Sequence, residues 1–114
     1  MRTQHEFFPV ADLPWHPAEP GVTERVLSHD PATPTLTRLA RWQPGLETSG
    51  VIRHDHHEEV YLLEGDLTDL TLGETFTAGH FASRRPGMPH GPYRTDGGCL
   101  MLEIRTAAGV EPGH

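Results

Sequence analysis

The stretch Arg53-His54-Asp55-His56-His57-Glu58-Glu59-Val60-Tyr61-Leu62-Leu63-Glu64-Gly65 is polar for seven residues, apolar for four, and closes on a glutamate and a glycine. Its apolar part shows no 3.6-residue period and has the length of a strand rather than a helix. Extended backbone sends alternate side chains to opposite faces. His54, His56 and Glu58 then share one face, and His57 and Glu59 the other. Imidazole and carboxylate converging from adjacent positions are the donors a divalent transition metal takes, with Zn, Fe, Mn, Ni and Cu all compatible. A solvated polar turn between two strands would have the same composition, so the cluster alone leaves both readings open.

The same short rhythm runs outward in both directions. Alternating or apolar runs occupy 23–28, 35–42, 51–54, 58–63, 67–72, 80–84 and 99–105. Between them lie turn signals such as Pro44-Gly45, Gly65-Asp66, Gly73, Pro86-Gly87 and Gly97-Gly98. The 12 glycines and 11 prolines are dispersed rather than gathered in a linker. This pattern predicts an all-β sandwich or barrel, and 114 residues support one core but not two. Residues 1–20, with four prolines, read as an extended arm, 21–105 as the barrel and 106–114 as a frayed tail. Small barrels fill their interior with side chains or hold one small ligand, so inward polar groups are informative. On one run Leu36, Ala40 and Trp42 share a face with Arg38. On another, Leu100, Leu102 and Ile104 form an apolar face opposite Met101 and Glu103.

Composition removes several chemistries. All nine basic residues are arginine, which excludes Schiff-base chemistry and the lysine of a phosphate-binding loop. A single cysteine, Cys99, allows neither an intrachain disulfide nor a multi-cysteine zinc site, and reads as a small buried hydrophobe. The formal charge of -7 argues against a nucleic-acid partner. No apolar run reaches the roughly 18 residues a membrane helix needs. The first ten residues carry Glu6 and no apolar core, so no secretory signal is expected and a cytoplasmic location is.

Nine histidines are the excess that remains. His90 stands on the stiff turn Arg85-Pro86-Gly87-Met88-Pro89-His90-Gly91-Pro92, directly after the run 80–84. Histidines from separate strands can close a three- or four-ligand site inside a barrel, with an open position for water or substrate. His5, His16, His29, His80 and His114 have no comparable context, and Ser28, Ser49 and Ser83 lack a nucleophile elbow. Arg53, Arg84 and Arg85 read as solvated edge residues, with steering of an anionic substrate as the alternative. Tyr93 and Arg94 carry no specific role on this reading.

Two segments resemble the paired motifs of the cupin superfamily. Glu58, six residues and Gly65 match the end of the first motif. Gly79, Gly87 and His90 match the second, with Arg85 at the usual proline and the proline displaced to Pro86. More narrowly, the chain resembles the ChrR-like cupins, a group that includes the cupin domain of zinc-binding anti-sigma factors and is similar to acetylacetone-cleaving dioxygenases. Trp15, Gly21-Val22, Leu27, Pro44-Gly45, Glu58-Glu59, Leu63-Glu64-Gly65 and Asp69 carry that likeness in the first part of the chain. Ala78-Gly79, Arg84-Arg85-Pro86-Gly87, His90-Gly91-Pro92 and Gly98-Cys99 continue it.

The resemblance implies a single-domain cupin, that is, a double-stranded β-helix or jelly-roll barrel. It carries metal-ligand roles onto His54, Glu58 and His90, for Fe(II), Zn(II), Mn(II) or Ni(II). Counting back from Gly65, the motif's first histidine falls on Ile52, so one ligand is missing. Gly50, five residues and His56 fits the motif's opening and nominates His56 instead, with His57 and Glu59 as rivals. Two histidines and one carboxylate alone would leave open positions suited to Fe(II) oxygen chemistry. Glu58, if it is not a ligand, is the candidate general base.

In function, the resemblance implies a metal-dependent oxygenase-type enzyme acting on a small oxygenated or diketone-like molecule. The alternatives are a non-catalytic metal- or ligand-binding sensor and a cupin isomerase or lyase. A structural barrel with a degenerate site is the reading Ile52 favours. Single-domain relatives imply a homodimer. The anti-sigma members add an N-terminal zinc-binding helical domain for which this length leaves no room, so sigma-factor binding through such a domain is not expected.

Overall fold

The computed structural model describes residues 2–108, and almost every regular element in them is a strand. These are β1 (His16–Pro17), β2 (Val22–His29), β3 (Leu36–Trp42), β4 (His56–Asp69), β5 (Glu74–Thr77), β6 (Phe81–Arg84), β7 (Tyr93–Arg94) and β8 (Cys99–Ala107). One 3-10 turn, Val10–Asp12, interrupts the N-terminal arm. No helix among the described residues is long and apolar enough to cross a membrane.

All pairings are antiparallel. Neighbours run β1-β2-β3-β8-β4-β5, with β6 and β7 also on β4. β4 is the spine. Its first half, from His56 to Gly65, lies between β8 and β6, and its last residues, from Asp66 to Asp69, lie between β5 and β7. One strand therefore belongs to both walls of an all-β, single-domain cupin barrel.

The change of wall happens at Gly65, where the sequence reads as a turn between two strands. No turn forms there. Gly65 has φ 85°, and a Cβ on it would collide with the Gly98 carbonyl oxygen and stand 2.8 Å from Cys99 Cα. Glycine is needed because the backbone turns left-handed against its β8 neighbour. Asp66 serves the opposite loop, its carboxylate accepting the amides of Asp96 at 2.8 Å and Gly97 at 2.9 Å.

Four other expectations shift. Residues 51–54 are not a strand and contribute only an isolated bridge, Ile52 to His90. The expected strand 67–72 stops at Asp69, whose Oδ1 accepts the amides of Thr71 and Leu72 and turns the chain. β5, of four residues, and β7, of two, are absent from the expected runs. β8 extends to Ala107, and residues 109–114 of the expected tail lie outside the described residues. In the arm, β1 pairs with β2 and the Thr3 amide donates to the His29 carbonyl.

Val60, Leu62, Leu67, Tyr93, Cys99 and Met101 form the core, with Trp42 and Phe76 packed against it. Leu102 and Ile104 lie half-buried on the outer face of β8, while Met101 and Glu103 point inward and are 3% and 5% exposed. Burial pushes the Cys99 thiol up to about 11, which leaves it an unreactive core group.

Candidate metal centre

β4 begins at His56, and its pleat sends His56, Glu58, Val60 and Leu62 inward. His57 and Glu59 are on the opposite face of the strand and do not join Glu58. His54 precedes the strand in a loop stitched to the segment that carries His90. The Gly87 amide donates to the His54 carbonyl at 2.7 Å, and Ile52 and His90 exchange backbone bonds of 2.8 and 2.9 Å. Ile52 occupies the motif's first-histidine position and so holds His90 in place by its backbone.

This stitching sets the His54 ring 5.0 Å from that of His90, and stacks it at 4.5 Å on that of His56. One potential ligand atom each from His54, His56 and Glu58 lies within 4.8 Å of the others. His54 Nε2 is 3.9 Å from Glu58 Oε2, and His90 Nε2 is 4.0 Å from Glu58 Oε1. The structure thus brings His54, His56 and His90 around the Glu58 carboxylate.

The donor chemistry fits a divalent transition ion. Among the described residues both ring nitrogens of His56, and Nε2 of His90, are buried without a hydrogen-bond partner, Asp55 Oδ1 standing 3.6 Å from His56 Nδ1, a costly state for a buried polar atom. The remaining His90 nitrogen, Nδ1, lies 3.3 Å from the Tyr93 hydroxyl, the kind of outer partner that orients a ligating imidazole. Burial, then the neighbouring His54 and Arg105, hold His56 below its ordinary value. Burial, then Arg84, brings His90 down to about 4. Both rings stay neutral at neutral pH with a lone pair free, as metal binding requires.

What the sequence reading missed is a line of arginines. Arg84, opposite Glu58 in the β4–β6 register, donates from Nη1 to Glu58 Oε1 at 2.9 Å and from Nη2 to the Tyr93 oxygen at 2.6 Å. Arg105 Nε lies 3.5 Å from Glu58 Oε2, and its Nη2 donates to Glu103 Oε1 at 3.2 Å. Arg38 donates from Nε to Glu103 Oε1 at 3.1 Å and from Nη1 to Glu24 Oε1 at 2.7 Å. Burial opposes ionisation of Glu58, yet Arg84 and Arg105 outweigh it and hold its carboxyl below the usual range. At Glu103 burial wins over Arg38 and raises the carboxyl. The inward face shared by Arg38 and the one shared by Glu103 with Met101 were the available signals. Arg84 reads in the sequence as a solvated edge residue with anion steering as the alternative, and its pairing with Glu58, 26 residues away, has no local signal.

Two cavities meet at this line. The larger, about 620 Å³, is walled by Val60, Leu62, Leu67, Phe76 and Met101. The smaller, about 210 Å³, contains His54, Glu58, Glu103 and Arg105. Arg84, His90 and Tyr93 line both.

The fold recurs in solved structures. The RmlC-like cupin of Shewanella frigidimarina NCIMB 400 superposes with a TM-score of 0.74 at 19% identity, over 95% of each chain. Acetylacetone dioxygenase from Acinetobacter johnsonii gives 0.71 at 19% identity, over 89% of this chain and 73% of that one. A chain of the Rhodobacter sphaeroides complex of SigE with the anti-sigma ChrR gives 0.65 at 23%, over 86% and 51%. These identities show a shared fold alone. No curated protein sequence matches the chain. The model of the ChrR cupin-like domain matches residues 3–107, a span that includes every strand and all four converging side chains, and the chain belongs to that family.

Proposed function

We propose that this protein is a metal-dependent enzyme performing oxygenase-type cleavage of a small oxygenated, diketone-like molecule. Its ligands would be His54, His56, Glu58 and His90, for one divalent transition ion among Fe(II), Zn(II), Mn(II) and Ni(II). The observation that carries this reading is the set of buried imidazole nitrogens beside Glu58 that have no hydrogen-bond partner among the described residues. A bound ion would supply Lewis acidity toward chelating oxygens and, as Fe(II), redox chemistry with oxygen. The Tyr93 hydroxyl orients His90 through Nδ1. Arg84 and Arg105 keep Glu58 ionised, which suits a ligand better than a general base, whose pKa lies near the working pH. The apolar walls of the larger cavity shield a bound substrate from water.

A non-catalytic sensor is the second reading. Its support is that two guanidiniums already engage Glu58, as they would a purely structural carboxylate. The homodimer and the cytoplasmic location belong to the same proposal, and sedimentation equilibrium tests the former. The decisive experiment is elemental analysis of purified wild type, His54→Ala and His90→Ala after reconstitution with each metal, followed by oxygen uptake on pentane-2,4-dione. Stoichiometric metal in wild type alone, with oxygen uptake, is expected. Wild type without metal under every reconstitution sinks the proposal, and tight zinc without oxygen uptake selects the sensor.

A further inference from the structure

We infer that the larger cavity binds an amphipathic carboxylate, an acid with an apolar tail of medium length, its head group on Arg84. The cavity, about 620 Å³, is within the range of small-ligand sites. Its mouth is apolar as well, since Leu72, Phe81 and Met88 line it and are 64%, 58% and 47% exposed. An apolar tail running outward along the wall covers side chains that otherwise face water.

The polar lining of this cavity comprises Arg84, His90, Tyr93 and Asp69, with Thr71, His80, Ser83 and the exposed Arg53 besides; of its two guanidiniums, that of Arg84 is the one drawn into the barrel, beside Glu58. The Asp69 carboxylate is already engaged by the Thr71 and Leu72 amides. Arg84 is less so. It donates two hydrogen bonds among the described residues, to Glu58 and Tyr93, from a group with five donors. A guanidinium with spare donors beside an apolar cavity matches a carboxylate, which it binds through two parallel bonds.

The site lies beside the proposed metal ligands, but the inference rests on Arg84 and the apolar walls of the cavity rather than on the metal reading.

The test is calorimetric titration of zinc-loaded protein, its metal content set by elemental analysis, with butanoate, hexanoate, octanoate and octanol. Affinity should rise about fourfold per added methylene. Octanoate should bind at least about tenfold tighter than octanol, although octanol leaves water more readily. Arg84→Gln should bring octanoate down to the level of octanol, and Arg84→Lys should keep part of the preference, both variants being checked by thermal melting and zinc content. Equal binding of octanoate and octanol, or an Arg84→Gln protein that retains zinc and the acid preference, overturns the inference and leaves the metal reading standing. A wild type that holds no zinc overturns the metal reading. In that protein octanoate must still bind more tightly than octanol through Arg84, and equality there overturns this inference too.

Discussion

Replacing Glu58 by glutamine in metal-free protein preserves its shape and removes one buried charge. The carboxylate lies 2.9 Å from Arg84 Nη1 and 3.5 Å from Arg105 Nε, on a side chain 6% exposed. At an effective dielectric of about 20, these two attractions amount to roughly 6 and 5 kcal/mol. Relief of the carboxylate's desolvation offsets several kcal/mol of that sum. The amide oxygen can still accept from Arg84, and Arg105 keeps Glu103 at 3.2 Å. The net loss therefore falls at the lower end for a broken buried pair, about 3 kcal/mol. In urea, with chelator present and an m-value of about 1–3 kcal/mol/M, the unfolding midpoint should fall by roughly 1–3 M. Glu59→Gln, on the opposite face of the same strand, should stay within about 0.5 kcal/mol of wild type. An unchanged midpoint for Glu58→Gln would refute the argument, because the two arginines would then be solvated rather than held by this carboxylate.

Zinc titration should separate the rival ligands: His56→Ala should lose more than about 100-fold in affinity, beyond what an outer-shell partner costs, while His57→Ala should match wild type. The pH dependence has a definite sign. His90 is held at about 4 against an ordinary 6.5, and His56 is lowered too, so below pH 6.5 the unfolded chain takes up protons that the native state refuses. Metal-free stability should fall from its value above about pH 6.5 by at most about 3 kcal/mol toward pH 4, the raised Glu103 carboxyl offsetting part of that fall and the lowered Glu58 adding its own loss only under about 4.5; a urea midpoint that rises between pH 7 and 5 would contradict this. Gly65→Ala, forced into a left-handed backbone against the Gly98 carbonyl, should cost at least about 2 kcal/mol, read as a Tm drop of about 8 °C or more. A double-mutant cycle of Arg38→Lys and Arg105→Lys, which share Glu103, should show a coupling above about 0.5 kcal/mol, and additive effects would mean that the two arginines act separately.

How far the chain could be read without coordinates depended on the range of each interaction. Strand runs such as Leu36–Trp42 and Phe81–Arg84 are local alternations, and they appear where the pattern puts them. The inward set His56 and Glu58 follows from the same pleat, once the strand is known to begin at His56. Residues 51–54 look like a strand but are drawn into a loop by Gly87 and His90, some 35 residues downstream, which no local pattern encodes. Gly65-Asp66 carries the composition of a hairpin turn, yet its two residues serve a wall crossing and a distant loop. Tyr93 was illegible as a site residue for the same reason: its relevance comes from Arg84 and His90 across the barrel.

The absence of lysine acquires a structural sense at this point. Glu24, Arg38, Glu103, Arg105, Glu58, Arg84, Tyr93 and His90 form one line of contacts from the second strand to the candidate metal ligands. Every cation in it serves two partners: Arg38 holds Glu24 and Glu103, Arg105 holds Glu103 and Glu58, and Arg84 holds Glu58 and Tyr93. A planar fork of five donors can span two acceptors from one position, whereas a compact ammonium is a single point charge with heavier hydration. Burying a charge is tolerated only when each neighbour is satisfied, so a barrel interior carrying three carboxylates on one line favours arginine at each link. The same logic explains why Glu58 can stay ionised inside the barrel. The arginines hold Glu58 ionised, and burial more than charge keeps His56 and His90 neutral beside it.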